Sequence, residues 1–106
     1  MSGIVQQIVV VDGTIELQQC GLYSTHKHPL IEKHHIVPES WWINAGIPVA
    51  SELINLCPNC HYNVHVVIDA MIKNQVYTAL PLRCQKLGVR GVAEGKALHL
   101  PISLTL

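Results

Sequence analysis

The sequence predicts a small α+β domain, with an N-terminal β-hairpin, a short central strand and two helices in the second half of the chain. Three patterns support this prediction: an Asp-Gly turn between two β-branched runs, a helical spacing of apolar residues after a CxxC pair, and a second helical stretch from about residue 82. With 106 residues, the chain is expected to form one domain with a modest core. Metal ligation would add stability to a core of that size.

The hairpin is predicted within the first 19 residues. Residues 4–11 form a β-branched run that ends at Asp12-Gly13, and residues 14–19 continue beyond the turn. Asp-Gly between two such runs is a strong hairpin signal, so strands are expected over about 4–11 and 14–19. Residues 31–36 favour a further short strand. Residues 38–50, with two tryptophans, one glycine and two prolines, predict a long, partly packed loop.

The helices are predicted in the second half of the chain. The first begins at Cys57 or Pro58, because proline suits the first turn of a helix, and extends to about residue 76. Its apolar face recurs at spacings of three and four through Val64, Ile68, Met71, Ile72 and Val76. The second helix is expected over about 82–94, although two glycines within it weaken that prediction. The tail, 97–106, alternates like a strand or an arm that packs elsewhere.

Composition limits the class of protein. No apolar stretch reaches the roughly 20 residues that span a bilayer, and the N-terminus lacks the features of a signal peptide. We therefore expect a soluble, cytoplasmic protein with no membrane partner. Seven Lys plus Arg balance seven Asp plus Glu, which argues against a broad basic surface for nucleic acid. Any nucleic-acid contact is instead expected to be local and centred on a metal ion, because a bound dication concentrates positive charge.

Two histidine pairs carry the candidate chemistry. His61 and His65 stand four residues apart on the predicted helix, a spacing at which two side chains on one face can hold one ion. His34 and His35 are adjacent in the predicted strand, where neighbouring side chains point to opposite sides. One of them can bind the metal while the other stays free as a base. Cleavage of a nucleic-acid backbone needs this division, since a metal polarises the phosphate and a neutral imidazole takes the proton from water.

The order of these residues resembles the HNH (ββα-metal, or His-Me finger) endonucleases found in phages, restriction enzymes, homing endonucleases and colicins. The shared pattern is His-His-Ile-x-Pro at 34–38, then a loop, then Leu-Cys-x-x-Cys-His-x-x-x-His at 56–65. The resemblance covers about residues 20–76, roughly half the chain. It implies two strands and a helix that grip one divalent ion (Mg²⁺, Mn²⁺, Ni²⁺ or Zn²⁺). It also implies hydrolysis of double-stranded DNA, with the helix N-terminus facing the minor groove.

The resemblance assigns a role to each histidine of the two pairs. His34 takes the place of the first metal ligand, and His35 takes the place of the general base. His61 takes the place of the second metal ligand, and His65 matches a third histidine that is present in the colicin branch of the family. These assignments put one ion between the strand and the helix, with an imidazole beside it to activate water.

One position departs from the family pattern near the general base. The family's central asparagine usually lies five residues before the first cysteine of this CxxC pair, and that position is Glu52. Either Glu52 takes over the task of orienting His35, or Asn55 does so through a shifted loop. A carboxylate beside an imidazole can hold the ring and raise its basicity, so the change need not abolish activity.

The cysteines suggest a second metal site. Cys57 and Cys60 form a CxxC pair, which in an intracellular protein indicates metal or redox use before a structural disulfide. Cysteine-rich members of the resembled family hold a structural zinc with two such pairs, and here only Cys20 remains of the first pair. A tetrahedral zinc needs a fourth ligand, and His26 or His28 can supply it from the loop after Cys20, while Cys84 is a more remote candidate.

Two other functions fit the same residues. One is a non-catalytic zinc module that binds nucleic acid or protein, and the other is a structural protein whose histidines only stabilise a small core. Trp41 and Trp42 are expected to pack onto the core rather than stack on a base. Four basic residues near the C-terminus are expected to form a solvated helix face rather than a phosphate patch: Arg83, Lys86, Arg90 and Lys96.

Overall fold

The structure is a computed structural model that describes the backbone of residues 6–11 and 14–106 and the side chains from residue 16 onward. Six strands and three helices make up the regular structure of these residues. Their order confirms an α+β fold. The start of the first predicted strand, residues 4–5, and the predicted Asp12-Gly13 turn lie outside the described residues.

The strands form two antiparallel sheets. In chain order they are β1 (Gln6–Val11), β2 (Thr14–Glu16), β3 (Gln18–Gln19), β4 (Lys27–His28), β5 (Leu30–His35) and β6 (Leu53–Leu56). The larger sheet has the order β2-β1-β5-β6, and β3 pairs with β4 in the smaller sheet. The predicted hairpin is therefore present as β1 and β2, while the second predicted strand divides into β2 and β3.

Part of the predicted loop is a short helix, α1 (Glu39–Asn44). Trp41 is fully buried, and Trp42 is 7% exposed, so the segment folds against the core through both indoles. Pro38 precedes the helix, and its carbonyl accepts a hydrogen bond from the Trp41 amide at 3.0 Å. This geometry confirms that the tryptophans pack onto the core. Helical periodicity does not reveal α1 in the sequence because the helix is less than two turns long.

The main helix, α2 (Pro58–Ile72), ends four residues before the predicted boundary. Asn74 adopts a left-handed conformation with φ of 57°. The amide of Asn74 donates to Met71 O, and that of Gln75 donates to Ala70 O at 2.7 Å, which is the Schellman pattern of a helix C-terminus. Val76 therefore lies beyond the helix and is 85% exposed, so its place in the predicted apolar face is wrong.

The last helix, α3 (Leu82–Ala97), is three residues longer than predicted and packs against α2. The glycines that weaken its prediction are buried at close contacts. A Cβ atom at Gly88 would lie 2.6 Å from Val67 Cγ1, and one at Gly91 would overlap the carbonyl oxygen of Ile36. These positions lower the intrinsic helix propensity, but they allow α3 to approach the rest of the core at backbone distance.

After α3, residues 98–106 form neither helix nor strand but run across the core as an arm. Leu100 is 6% exposed, and the Trp41 indole nitrogen donates to the Ser103 carbonyl at 2.7 Å. Of the two alternatives for the tail, the packed arm is therefore the observed one. Among the described residues, no helix has the length and apolar character that crossing a membrane requires.

Candidate metal centres

The first candidate centre lies between the larger sheet and α2. β5 and β6 are antiparallel neighbours, with His34 opposite Ile54 and His35 opposite Leu53, and α2 follows β6 directly. Side chains alternate between the two faces of a strand, so His34 and Glu32 point to the same face. This face is covered by α2, which presents His61 and His65 one helical turn apart.

The structure brings the three predicted ligands together. His34, His61 and His65 each offer a ring nitrogen, and these atoms lie within 4.8 Å of one another. The Nε2 atoms of His61 and His65 are 3.1 Å apart. Two nitrogens on a tetrahedral ion with bonds of 2.0–2.1 Å would be separated by about 3.3 Å. The helix pair therefore has nearly the spacing that a shared ion requires.

Hydrogen bonds to residues outside the cluster fix which ring nitrogen of His61 and of His65 faces the centre. His61 Nδ1 lies 3.2 Å from Glu32 Oε1, and a carboxylate accepts there. His65 Nδ1 lies 2.8 Å from the Thr105 hydroxyl, which donates its own proton to Asp69 Oδ1. Both rings therefore carry their proton on Nδ1, and their Nε2 lone pairs face each other. This arrangement is repulsive unless a cation lies between the two nitrogens.

Burial keeps the three rings neutral, so that a proton is a poor substitute for that cation. Burial and the neighbouring imidazoles lower the pKa of His34 to about 2. Burial and His61 lower the pKa of His65 to about 4, although Asp69 and Glu32 oppose the shift. Burial also lowers the pKa of His61 despite its hydrogen bond to Glu32. Neutral imidazole is the form that binds a metal.

His34 supplies independent evidence for a ligand. It is 1% exposed, and neither of its ring nitrogens has a hydrogen-bond partner among the residues whose side chains are described. A buried polar atom without a partner costs about 1–3 kcal/mol. Its ring lies edge-on to His61 and His65, with centroid distances of 5.1 and 5.0 Å. A metal ion between the three rings would give His34 the missing partner.

The proposed general base, His35, follows the candidate ligand His34 directly in the sequence. His35 is the last residue of β5 and is partly exposed. His35 contributes to lowering the pKa of both His34 and His61, so it lies within electrostatic range of the centre. Its side chain leaves the strand on the face opposite that of His34, because neighbouring residues of a strand point to opposite sides.

The two candidates for orienting His35 lie in different surroundings. Glu52 accepts the Ile36 amide with its carbonyl at 3.0 Å, and its exposed carboxylate accepts a hydrogen bond from Arg90 at 2.6 Å. Asn55 is exposed and pairs with Lys33 in the β5–β6 register, on the face that His35 also occupies. The register thus sets Glu52 opposite Ile36 rather than opposite His35.

The second candidate centre joins the small sheet to the start of α2. The thiols of Cys20, Cys57 and Cys60 and a ring nitrogen of His26 all lie within 4.8 Å of one another. His26 Nδ1 is 3.3 Å from Cys60 Sγ and 3.9 Å from Cys57 Sγ. Three sulfurs and one nitrogen form a donor set typical of structural zinc sites. Of the predicted fourth ligands, the structure selects His26.

His28 and Cys84 lie outside this cluster. His28 is exposed, and its Nδ1 is 3.0 Å from the backbone nitrogen of Leu30. The cluster that the structure forms contains His26 and not His28. Cys84 is fully buried, and burial raises the pKa of its thiol. A raised pKa disfavours the reactive thiolate form of Cys84.

The thiols of the cluster differ in acidity. Burial raises the pKa of Cys60, and the neighbouring thiols add to the shift. Burial also acts against ionisation of Cys20, but hydrogen bonds from the backbone of Cys57, Leu22 and Tyr23 outweigh it and lower the Cys20 pKa. The Cys20 thiol therefore ionises more readily than the Cys60 thiol, and a cation beside the sulfurs would favour ionisation of Cys60 as well.

The cluster also defines the N-terminus of α2. Cys57 is the N-cap residue, and its sulfur accepts the Cys60 amide at 3.5 Å. Pro58 follows at the first helical position. Cys60 and His61 are consecutive, so neighbouring residues of one helical turn serve the two different centres.

Three residues of the first centre were not predicted. Glu32 precedes His34 by two, and Asp69 follows His65 by four, so strand and helix periodicity place each on the same face as a predicted ligand. Those spacings are a signal that could have identified both. Thr105 lies 40 residues from His65 in sequence, and no local pattern connects them.

Comparison with known proteins identifies no relative of this chain. No protein-family model matches the chain, and no curated protein or solved structure is significantly similar to it. The two metal centres and their surroundings are therefore the basis for assigning a function.

Proposed function

We propose that the chain is an HNH-type endonuclease that hydrolyses phosphodiester bonds of double-stranded DNA with one divalent ion. The observation that carries the proposal is the convergence of three neutral imidazoles, His34, His61 and His65, and His35 follows His34 directly in β5. The order of two antiparallel strands and a helix over residues 30–72 supports the ββα-metal motif that the sequence resemblance implies.

The three imidazoles fit a reactive ion better than a purely structural one. Three protein ligands leave coordination positions open, as catalytic sites require, whereas structural zinc sites use four. When bound, a divalent ion polarises the scissile phosphate and stabilises the leaving oxygen. Glu32 and Thr105 hold the rings of His61 and His65, which would leave the Nε2 atom of each ring available to bind the ion.

His35 is the proposed general base. Its partial exposure allows a water molecule to reach the ring, and we propose that this water attacks a phosphate held at the neighbouring metal centre. The imidazole would accept the proton of the attacking water. We assign no orienting residue, since the carboxylate of Glu52 is engaged by Arg90.

The second centre is proposed to hold a structural zinc ion. Cys20, Cys57, Cys60 and His26 complete a tetrahedral set, which leaves no position for a substrate. The ion would tie the loop after β3 to the first turn of α2. In a domain of 106 residues, such a link contributes much of the folding free energy.

The decisive experiment is a plasmid-nicking assay with Mg²⁺, Mn²⁺, Ni²⁺ or Zn²⁺. His35→Ala should lower the cleavage rate by about 10²–10⁴-fold, because loss of a general base typically has that effect. Its metal content and melting curve should remain those of the wild type. His99→Asn is the matched control, since His99 is exposed and has a φ of 57° that asparagine tolerates. Near wild-type nicking by His35→Ala would remove it from the mechanism.

The alternative is a non-catalytic zinc module that binds nucleic acid or protein. One observation favours it. Glu52, at the position of the family's central asparagine, forms an ion pair with Arg90 that engages its carboxylate. Metal analysis separates the two functions. One tight and one exchangeable ion per chain would support the enzyme, while a single tight zinc and no nicking under any metal would support the module.

A further inference from the structure

The C-terminal arm ends on the first metal centre. The Thr105 amide donates to Asp69 Oδ1 at 2.7 Å, and the Leu106 amide donates to Asp69 Oδ2 at 2.7 Å. The Thr105 hydroxyl donates to Asp69 Oδ1 at 2.8 Å. One carboxylate on α2 thus holds two consecutive backbone amides and a side chain of the arm.

This anchor is buried. Asp69 is 5% exposed, and a buried carboxylate needs such hydrogen bonds to compensate for the loss of water. The arm is also held further upstream, where the Ser103 carbonyl accepts the indole of Trp41 at 2.7 Å. The position of Thr105 is therefore fixed by two contacts, the bond of Ser103 to Trp41 and the bonds of Thr105 itself to Asp69.

The anchored arm presents an acceptor to a ligand of the ion. With its hydroxyl proton directed to Asp69, Thr105 Oγ1 accepts from His65 Nδ1 at 2.8 Å. This bond forces the His65 proton onto Nδ1 and leaves Nε2 free to bind. The chain of contacts is therefore Asp69 to Thr105 to His65 to the metal position. It resembles, in role, the Glu32 bond to His61, but it comes from the opposite end of the sequence.

We infer that Thr105 is a positioning residue of the metal centre and that docking of residues 103–106 and metal binding by His65 stabilise each other. The inference rests on the proposed metal centre but not on cleavage. Because the coupling is thermodynamic, an ion that binds the aligned His65 must strengthen the docking of the arm to the same extent as the docked arm strengthens the ion. The arm is thus part of the site rather than a neutral tail.

The test is Ni²⁺ binding to the zinc-loaded protein by calorimetry, without any activity assay. Thr105→Val keeps the shape but removes the hydroxyl, and it should weaken Ni²⁺ binding by about 10–100-fold, as loss of an outer hydrogen-bond partner does. Thr105→Ser restores the hydroxyl and should bind within about threefold of the wild type. Ser103→Ala is the matched control, because that residue contributes its carbonyl and not its side chain to the arm.

A second measurement uses the wild type alone. Hydrogen exchange of the C-terminal peptide, followed by mass spectrometry, should slow for the Thr105 and Leu106 amides when Ni²⁺ is added. Unchanged exchange would overturn the inference, as would wild-type affinity in Thr105→Val. Equal losses in Thr105→Val and Thr105→Ser would also overturn it, because the hydroxyl would not be responsible. Absence of Ni²⁺ binding in the wild type would overturn both this inference and the proposed metal centre.

Discussion

The two candidate metal clusters share α2 but differ in the number of donor residues that the protein supplies. The cluster of Cys20, His26, Cys57 and Cys60 has four donors from the protein and no open position. The histidine cluster has three donors, and His61 and His65 each donate the Nδ1 proton to a neighbouring residue, Glu32 and Thr105 respectively. Both clusters are largely buried, so the proposed structural and catalytic roles depend on the number of protein donors rather than on burial.

The largest expected effect is on folding and concerns the closed cluster. Cys60→Ser should remove the zinc and unfold the domain, because structural zinc contributes about 10–16 kcal/mol of apparent binding free energy to small domains. Cys84→Ser is the control, since Cys84 is equally buried but lies outside the cluster. Thermal denaturation and zinc content measure the difference. Two variants that melt alike and retain zinc would show that the Cys60 sulfur is not a ligand.

The next effect is on metal affinity and concerns the open cluster. His34→Ala and His61→Ala should each weaken Ni²⁺ binding by more than the roughly 10–100-fold that an outer partner contributes, because each removes a ligand. Zinc content and the cooperative melting transition should remain. Calorimetry on the zinc-loaded protein is the measurement. If affinity is unchanged in both variants, the ion binds elsewhere and the contrast between the clusters fails.

The dependence of folding stability on pH provides a test with a smaller expected effect. The pKa of His34 is lowered to about 2 and that of His65 to about 4, below the usual 6.5. The unfolded chain therefore binds protons that the folded chain excludes, so stability is fully present above about pH 6.5 and decreases as the pH falls towards 4 and then 2. The carboxylates of Glu32 and Asp69 oppose the shift of His65, and His35 adds to that of His34.

The free energy of unfolding should decrease by about 1.4 kcal/mol for each such histidine at one pH unit below 6.5. Urea denaturation of zinc-loaded protein without Ni²⁺, at pH 7.0 and about pH 5.5, measures it. His34→Leu should have a shallower dependence on pH, and His99→Asn should match the wild type. A wild-type stability that is equal at the two pH values would contradict neutral burial of these rings.

The smallest effect is expected at Glu52. Its ion pair with Arg90 is exposed, with side chains 64% and 46% accessible, and such pairs contribute about 0–1 kcal/mol. Glu52→Ala should therefore lower stability little and, since its carboxylate is engaged by Arg90, leave nicking within a few-fold of the wild type. Asn55→Ala is measured beside Glu52→Ala, because Asn55 is the other candidate for orienting His35. A loss in Glu52→Ala as large as that in His35→Ala would restore Glu52 as the residue that orients the base.

Features that depend on short periodicities and local motifs were predictable from the sequence. The spacing of His61 and His65, the CxxC pair and the proline after Cys57 identified the helix start and four of the clustered side chains. The short strand β6 was missed because Leu-Ile-Asn-Leu has no alternation of polar and apolar residues long enough to indicate a strand. The C-terminal boundary of α2 was missed because it depends on the left-handed conformation of Asn74.

The contacts that complete the first centre were harder to predict. Glu32 required the strand register and the orientation of α2 together, although its spacing to His34 was visible. Thr105 required the path of an irregular arm, which is set by a buried tryptophan and a buried carboxylate. Sequence periodicity therefore identifies ligands within an element, while the groups that orient them come from tertiary packing.

The consecutive placement of Cys60 and His61 has a mechanical consequence. Neighbouring residues of an α-helix are separated by about 100° of rotation, so the two side chains leave the axis in directions that differ by that angle. A metal ion bound to Cys60 would help to fix the rotation of α2 about its axis, and that rotation decides whether His61 and, one turn later, His65 face the strand. A zinc ion at the sulfur cluster would thus contribute to the rotational alignment of the imidazoles without contacting them.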